Sequence, residues 1–502
     1  MRKRFAVNNE LDAQRIEDVK IDGRSRDQFP KLLAALQYIF ITPELNEAVF
    51  GILERHVLEG KKATGRLGMS LWEIFVMGVT RLNLDIDYDR LQDMANNHSS
   101  LRGILGTDTK QVFGEGKYYP LQTIKDNVCL LSEEMLGEIN GAVVKAGHSL
   151  KKNGGGEDIE LEVKTDSYAV EKNVHFPTDL NLLWDCCRKC IDIVVLILGQ
   201  GSLLTGWRKH SYNRKKIKKA YRRAAKVHQR KGRNYRQRLL KATREYLAHG
   251  RELGSDVARA VNELESGRAA MPGPKLTFLI DLLKYYHGML DKHTGLVERR
   301  IIKGETIPHE EKVFSIFEPD TEWLQKGKAG NKVELGHNVL ISTDQFQFII
   351  DWKVMVKEVD AGQPIELAER LEKRFSTGYI LGSISFDRGF YSALGKAALG
   401  KVFEKVIMPK KGKKTAQEEL EELEKEFVAL RHRHSAVESN INELEQGGVN
   451  RVPDKGLPAF KKYVALGVVA HNLKILGKTV MEQGALTTVV NMGKPRRRKQ
   501  AA

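Results

Sequence analysis

From its N-terminus the chain repeats apolar residues at intervals of three and four through "PKLLAALQYIFI", "ELNEAVFGILERHVL", "MSLWEIFVMGVTRLNL" and "DYDRLQDMANNHSSLRGILG", with polar positions between them. That period lays one apolar stripe along each helix, so residues 1–150 are expected to form an all-helical N-terminal domain. The closely spaced segments between 69 and 105 admit either a helix-turn-helix or a plain bundle. Three consecutive glycines in "KKNGGGED" (151–158) break the pattern and read as a linker. The period then changes to two. Ile159, Leu161 and Val163 alternate with charged residues, which predicts a strand leading to Asp166. In "PTDLNLLWDCC" Thr178 or Asp179 is suited to cap a helix, and helical periodicity continues through "LTFLIDLLKYYHGMLDKH".

Strand character returns in "EKVFSIFEP", "VELGHNVLISTD" and "FQFIIDWKVMV", the last two meeting at "TDQ" as a hairpin. A short helix, "PIELAERLEKRF", precedes the apolar run "YILGSIS", and "ISFDRGFYS" sets Asp387 at the end of that strand. An acid there is either a strand-end turn or a metal ligand presented by the sheet. The segment "TAQEELEELEKEFVALRHRHSAVESNINELEQGG" predicts one long helix ending near Gly447 and Gly448, with Glu438 as its candidate acid.

Composition changes the picture in one place. The formal net charge is +17, and 208–238 alone holds 15 Lys or Arg with no Asp or Glu. Ile217, Ala220, Tyr221, Ala224, Ala225 and Val227 leave a narrow apolar stripe on a helix otherwise covered by Arg214, Lys215, Lys216, Lys218, Lys219, Arg222, Arg223, Lys226, Arg230 and Lys231. Phosphates would satisfy those ten cations, which makes nucleic acid the expected partner and the helical domain 1–150 an expected DNA-binding domain beside it. Tyr212, Tyr221 and Tyr235 either line a nucleic-acid path or anchor the helix on its neighbours.

Other classes fit poorly. No apolar stretch follows "MRKRFAVNNELDAQ", and the longest apolar run, "CIDIVVLILGQGSLL" (190–204), is too short to span a bilayer. A cytoplasmic protein with no membrane partner is expected. Cys186 and Cys190 stand one helical turn apart, half of a zinc site without a second pair. "HRH" (432–434) lies in a helix with Arg433 between its histidines, and "GEGKYYPLQ" lacks the strand and lysine of a nucleotide loop.

Phosphodiester chemistry with two divalent cations needs acids from separate elements that converge on one point. Two strands carrying Asp166 and Asp387, and a helix carrying Glu438, would supply them. The blocks "KTDSYAVEKNVHFPTDLNLL", "ELGHNVLISTDQFQFIIDWKV", "ISFDRGFYS" and "RHRHSAVESNINELEQGGVNRVPDKG" resemble those of bacterial DDE insertion-sequence transposases, in particular the ISNCY group. The likeness runs over roughly residues 30–475.

That resemblance implies an α/β fold: an RNase H-like catalytic core interrupted by a large basic helical insertion. Its parts would be 151–180, the insertion 181–300, the remaining core 301–480 and a basic tail 481–502. It also implies Asp166, Asp387 and Glu438 as catalytic acids holding two Mg²⁺ or Mn²⁺ ions. Double-stranded DNA, both terminal inverted repeats and target, would be the partner of a homodimer or larger assembly at the nucleoid. Three positions depart from the family pattern. Glu445 stands where a basic residue is common, and Arg431 and His434 replace a tyrosine and an arginine. Glu443 and Glu445 are the substitutes for Glu438. The competing class is a non-catalytic DNA-binding protein, either a helical regulator or an inactive or domesticated transposase.

Overall fold

The computed structural model describes residues 2–5, 14–60, 67–107, 117–152, 158–230, 232–267, 273–325 and 333–484. The glycine linker, Lys231 and the tail beyond 484 lie outside these described residues. The chain forms two compact units, one of Met1–Asn173 with Leu324–Ala502, the other of Val174–Trp323.

The first unit begins with helices whose caps are written in the sequence. Asp27 accepts from Phe29 N–H to start α1 (Gln28–Ile41), Pro43 opens α2 (Pro43–Leu58), and Ser70 with Glu73 forms a capping box on α3 (Leu71–Asn83). All of α3 is buried. His98 splits the next segment into α4 (Tyr88–Asn97) and α5 (Ser99–Leu105). After α6 (Leu121–Val128), Ser132 caps α7 (Glu133–Lys151), and β1 (Ile159–Lys172) follows.

The second unit is helical: α8 (Asp179–Leu198), α9 (His210–Gln229), α10 (Tyr235–Glu265) and α11 (Pro274–Val297). Thr178 caps α8 in a box with Asn181. Cys186, Cys187 and Cys190 are free thiols buried in this unit's core, where burial pushes their ionisation upward, that of Cys190 to about 12. Where "EKVFSIFEP" was expected to be a strand there is none. His309–Glu311 is a 3₁₀ turn, and the Ser315 hydroxyl accepts from the Phe317 and Glu318 N–H groups at 3.2 and 3.1 Å, local bonds that replace a ladder.

The unit boundary falls within β2 (Glu322–Gln325), after which the chain forms β3 (Val333–Thr343), β4 (Ile349–Val354), α12 (Gln363–Arg374) and β5 (Tyr379–Phe386) in the first unit. Then come α13 (Ala393–Leu399), β6 (Lys405–Ile407), α14 (Ala416–Leu423), α15 (Lys425–His434), α16 (Ala436–Leu444), β7 (Arg451–Val452) and α17 (Leu457–Glu482). The single long helix expected over 415–448 is thus three, broken at Glu424 by extended backbone and at Ser435 by a tightened turn. The fold is mixed α/β with a mixed sheet, ordered β2-β3-β1-β5-β6, in which β4 also pairs with β3 and β7 with β1.

β1 is the centre of that sheet. It runs antiparallel to β3 and parallel to both β5 and β7. The hairpin expected at "TDQ" joins β3 to β4, and the Asp344 carboxylate holds it by accepting from Phe346 and Phe348 N–H. Leu36, Trp72, Ile139, Val163, Ile384 and Leu473 belong to one apolar core, so the N-terminal helices and the sheet are packed together. Among the described helices α17 is long and apolar enough to cross a membrane, but 83% of its most apolar window is buried in this core.

Candidate active site

The register of the sheet brings two of the three candidate acids together. In the parallel β1–β5 pair the last partners are Thr165 and Phe386, and the next residue on each strand is Asp166 and Asp387. At that point the two strands behave differently. β5 stops, and Asp387 starts the short turn Arg388–Phe390, whereas β1 continues for six residues beyond Asp166. Asp166 is therefore mid-strand, not at the strand end that the sequence pattern suggested. Tyr168 and Val170 are buried, and their burial carries the strand onward.

Alternation along β1 says which way Asp166 faces. Glu162 pairs with Arg433 at 2.7 Å, and the Tyr168 hydroxyl donates to the Val449 carbonyl at 3.4 Å. Asp166 lies between those two on the same side of the strand, the side covered by α15 and the segment around α16. The Ser167 N–H donates to Asp166 Oδ1 at 2.8 Å. Burial nevertheless pushes the Asp166 carboxyl up to about 6; the Ser167 N–H and His434 oppose the rise, and the charges of Asp387 and Asp360 add to it.

Asp387 is shifted the other way. The ring of His434 holds its carboxyl below the usual range against partial burial, with the Arg431 and Arg388 charges helping. His434 ends α15 and is 8% exposed. Its Nδ1 is 3.1 Å from the Ser385 hydroxyl, while Nε2 stands 3.5 Å from Asp387 Oδ1 and has no hydrogen-bond partner. At that distance the attraction is electrostatic and no hydrogen bond is formed.

Glu438 is not brought into this group. It lies in the first turn of α16, a helix that packs on β1 and buries Val437, Asn440 and Ile441, and its own side chain is exposed. No hydrogen bond or ion pair among the described residues joins it to Asp166 or Asp387. Of its substitutes, Glu443 is tied to Lys474 and lies 3.5 Å from His471, and Glu445 opens the turn Glu445–Val449.

The sequence reading overlooked Asp360, which follows β4 by a short loop and starts the turn Asp360–Gly362. The Ser167 hydroxyl donates to its Oδ1 at 2.8 Å. No sequence period marks Asp360; only the fold carries it to β1.

Among the described residues, no three His, Cys, Asp or Glu side chains stand close enough as placed to hold a metal ion. The donor chemistry still suits a hard divalent cation. It offers carboxylate oxygens on adjacent strands and one buried ring nitrogen without a partner.

No family model, curated protein or solved structure matches this chain.

In the second unit α9 bears the basic positions. Three of its cations are neutralised within the unit: Arg214 by Asp192 at 2.7 Å, Lys216 by Glu252 at 3.0 Å and Arg223 by Glu245 at 2.6 Å. Lys215, Lys218, Lys219, Arg222, Lys226 and Arg230 are exposed and form no ion pair among the described residues. Lys215, Lys219, Arg222 and Lys226 follow one another by three or four residues, so they lie along one face, with Lys218 beside them. Tyr221 stacks on Trp184 at 5.9 Å and anchors the helix, whereas Tyr212 is exposed.

Proposed function

We propose that the chain is a DNA transposase of the DDE type, with an RNase H-like core in the first unit and a basic DNA-binding insertion in the second. The observation that carries this reading is the convergence of Asp166 and Asp387 at the end of the parallel β1–β5 pair. A second support is the unpaired basic face of α9, which suits a polyanion.

Asp166, Asp387 and, from α16, Glu438 would hold two Mg²⁺ or Mn²⁺ ions. Bound there, the ions supply Lewis-acid stabilisation of a phosphodiester and lower the pKa of an attacking water or 3′-hydroxyl. The protein's own contribution is positional. The Ser167 N–H fixes one oxygen of Asp166, His434 steadies Asp387, and burial keeps Asp166 in a weakly solvated place where an opposite charge is attracted strongly. The cationic face of α9 would hold duplex backbone without reading bases.

One observation favours the competing reading of a DNA-binding protein without catalysis: Glu438 is exposed and joined to neither aspartate. The deciding experiment incubates purified protein with the DNA flanking its own gene and Mg²⁺ or Mn²⁺. Strand cleavage that disappears in EDTA and in Asp166→Asn, Asp387→Asn and Glu438→Gln supports the transposase. Retained DNA binding with no cleavage by the wild type rejects it.

A further inference from the structure

Apart from α9 the chain has a second basic run, and its own glutamates answer it. Residues 396–414 hold seven lysines and one acid, Glu404, whereas 416–426 hold six glutamates and one lysine. The acidic run folds back on the basic one. Lys410 Nζ lies 2.8 Å from each oxygen of Glu418, Lys414 Nζ 2.6 Å from Glu422 and Lys396 Nζ 2.6 Å from Glu421. The hydrogen bond from Lys410 holds the Glu418 carboxyl down at about 2, so this group stays charged wherever duplex DNA is stable. Lys401, Lys411 and Lys413 are exposed and form no ion pair among the described residues.

The basic run stands at the acid end of the sheet. β6 is parallel to β5, with Ile407 opposite Ser385, so residues 410–414 leave the sheet at the end where Asp387 stands. Tyr391, just after the Asp387 turn, donates its hydroxyl to Glu418 Oε1 at 3.3 Å and carries Lys410 Nζ 5.8 Å above its ring centre. α14 is only lightly attached to this place. It buries no side chain, and Leu420 and Leu423 are 68% and 73% exposed. Ion pairs open to solvent contribute little to stability, whereas a lysine set on a duplex phosphate releases a condensed counterion. At low salt, exchanging these carboxylates for phosphates therefore favours the duplex.

We propose that Lys396, Lys401, Lys410, Lys411, Lys413 and Lys414 form a phosphate-binding surface for duplex DNA beside Asp387, and that α14 covers part of it in the free protein as a stand-in that the duplex displaces. The proposal rests on the DNA-binding reading above. It adds to α9 a second surface, in the first unit, and a segment that restrains it.

The test measures binding of a fluorescent random duplex to the full-length protein by anisotropy over a range of salt concentrations. The triple variant Glu418→Gln, Glu421→Gln, Glu422→Gln is compared with wild type and with Glu44→Gln, Asp89→Asn, Glu134→Gln, which removes the same charge from α2, α4 and α7. Glutamine at 418 preserves the capping box with Thr415, so α14 is expected to stay helical, with circular dichroism as the check. The α14 triple should bind at least about tenfold more tightly than the control triple. Lys401→Gln, Lys411→Gln, Lys413→Gln should lower the slope of log affinity against log salt by up to about 2.7, at about 0.9 for each phosphate contact.

Limited digestion of the wild type with a glutamate-specific protease is the second measurement, independent of any variant's folding. The duplex should speed cutting after Glu418, Glu421 and Glu422. An α14 triple no tighter than the control triple, a salt slope unchanged in the lysine triple, or cutting in α14 that the duplex leaves unchanged or slows overturns the proposal. Binding that still weakens when Lys215, Lys218, Lys219 and Arg222 are neutralised would then leave the DNA-binding reading standing. A wild type and an α14 triple that both bind no duplex overturn both.

Discussion

Replacing Asp166 by asparagine should make the metal-free protein more stable, and the gain should grow with pH. The cause is the burial that pushes the Asp166 carboxyl from 3.8 to about 6. A raised carboxyl contributes stability that is fully present below pH 3.8 and lost as pH rises through about 6, because the folded state must then ionise a group it hides from water. At about 1.4 kcal/mol per pH unit, the wild type at pH 8 carries a penalty of about 3 kcal/mol. The same expression gives about 1.5 kcal/mol at pH 5 and about 0.5 kcal/mol at pH 4. Asparagine has no such ionisation. Urea unfolding in EDTA, followed by tryptophan fluorescence at pH 4, 5 and 8, should therefore show a midpoint difference that widens with pH. Asp387 and Asp360 lie nearby, so the protons leave as a group and the widening should be gradual. A difference that is constant with pH, or that reverses sign above pH 6, would refute the argument. Millimolar Mn²⁺ should narrow the gap by stabilising only the wild type.

Neutralising Lys215, Lys218, Lys219 and Arg222 together to glutamine should lower the slope of log affinity against log salt by up to about 3.6, since each phosphate contact contributes about 0.9. Filter binding on terminal and random duplexes should show equal losses; a selective loss on terminal DNA would make this face a reader of bases. Gly336→Ala would drive a methyl group into the Val170 carbonyl where β3 meets β1, and should cost at least about 3 kcal/mol in urea unfolding. Asp344→Ala removes the acceptor shared by His148 Nε2 of α7 at 2.5 Å and the Phe346 and Phe348 N–H groups of the β3–β4 turn, and should cost about 3 kcal/mol by the same assay.

Local signals carried much of the architecture. The caps at Asp27, Ser70, Ser132 and Thr178, the hairpin at Asp344 and the strand before Asp387 all follow from residue type and period, because each depends on neighbours a few positions away. Three features depended on more than that. "EKVFSIFEP" alternates like a strand, but a serine hydroxyl supplied the backbone bonds that an absent neighbouring strand would have supplied. The helix over 415–448 breaks at Glu424 with no glycine or proline to announce it. Asp360 reaches Ser167 only because β1, β3 and β4 fold into one sheet, and a loop acid has no period.

The neighbourhood of β1 also explains why the acid end of this sheet is chemically unusual. β5 leaves the edge of β1 after Thr165, and β7 does not take it up again until Glu171. Between those points the edge lacks a partner strand on that side, and Asp166 is the first residue of the gap. A backbone edge inside a sheet is normally closed by another strand, because unpaired amides are costly when buried. Here the early end of β5 places the Asp387 turn at the opening. The same gap that interrupts the ladder therefore lets the carboxylates of Asp166 and Asp387 approach each other. Extending β5 by pairing would draw Asp387 into the ladder beside Asp166, so the short strand and the exposed Asp387 belong to one arrangement.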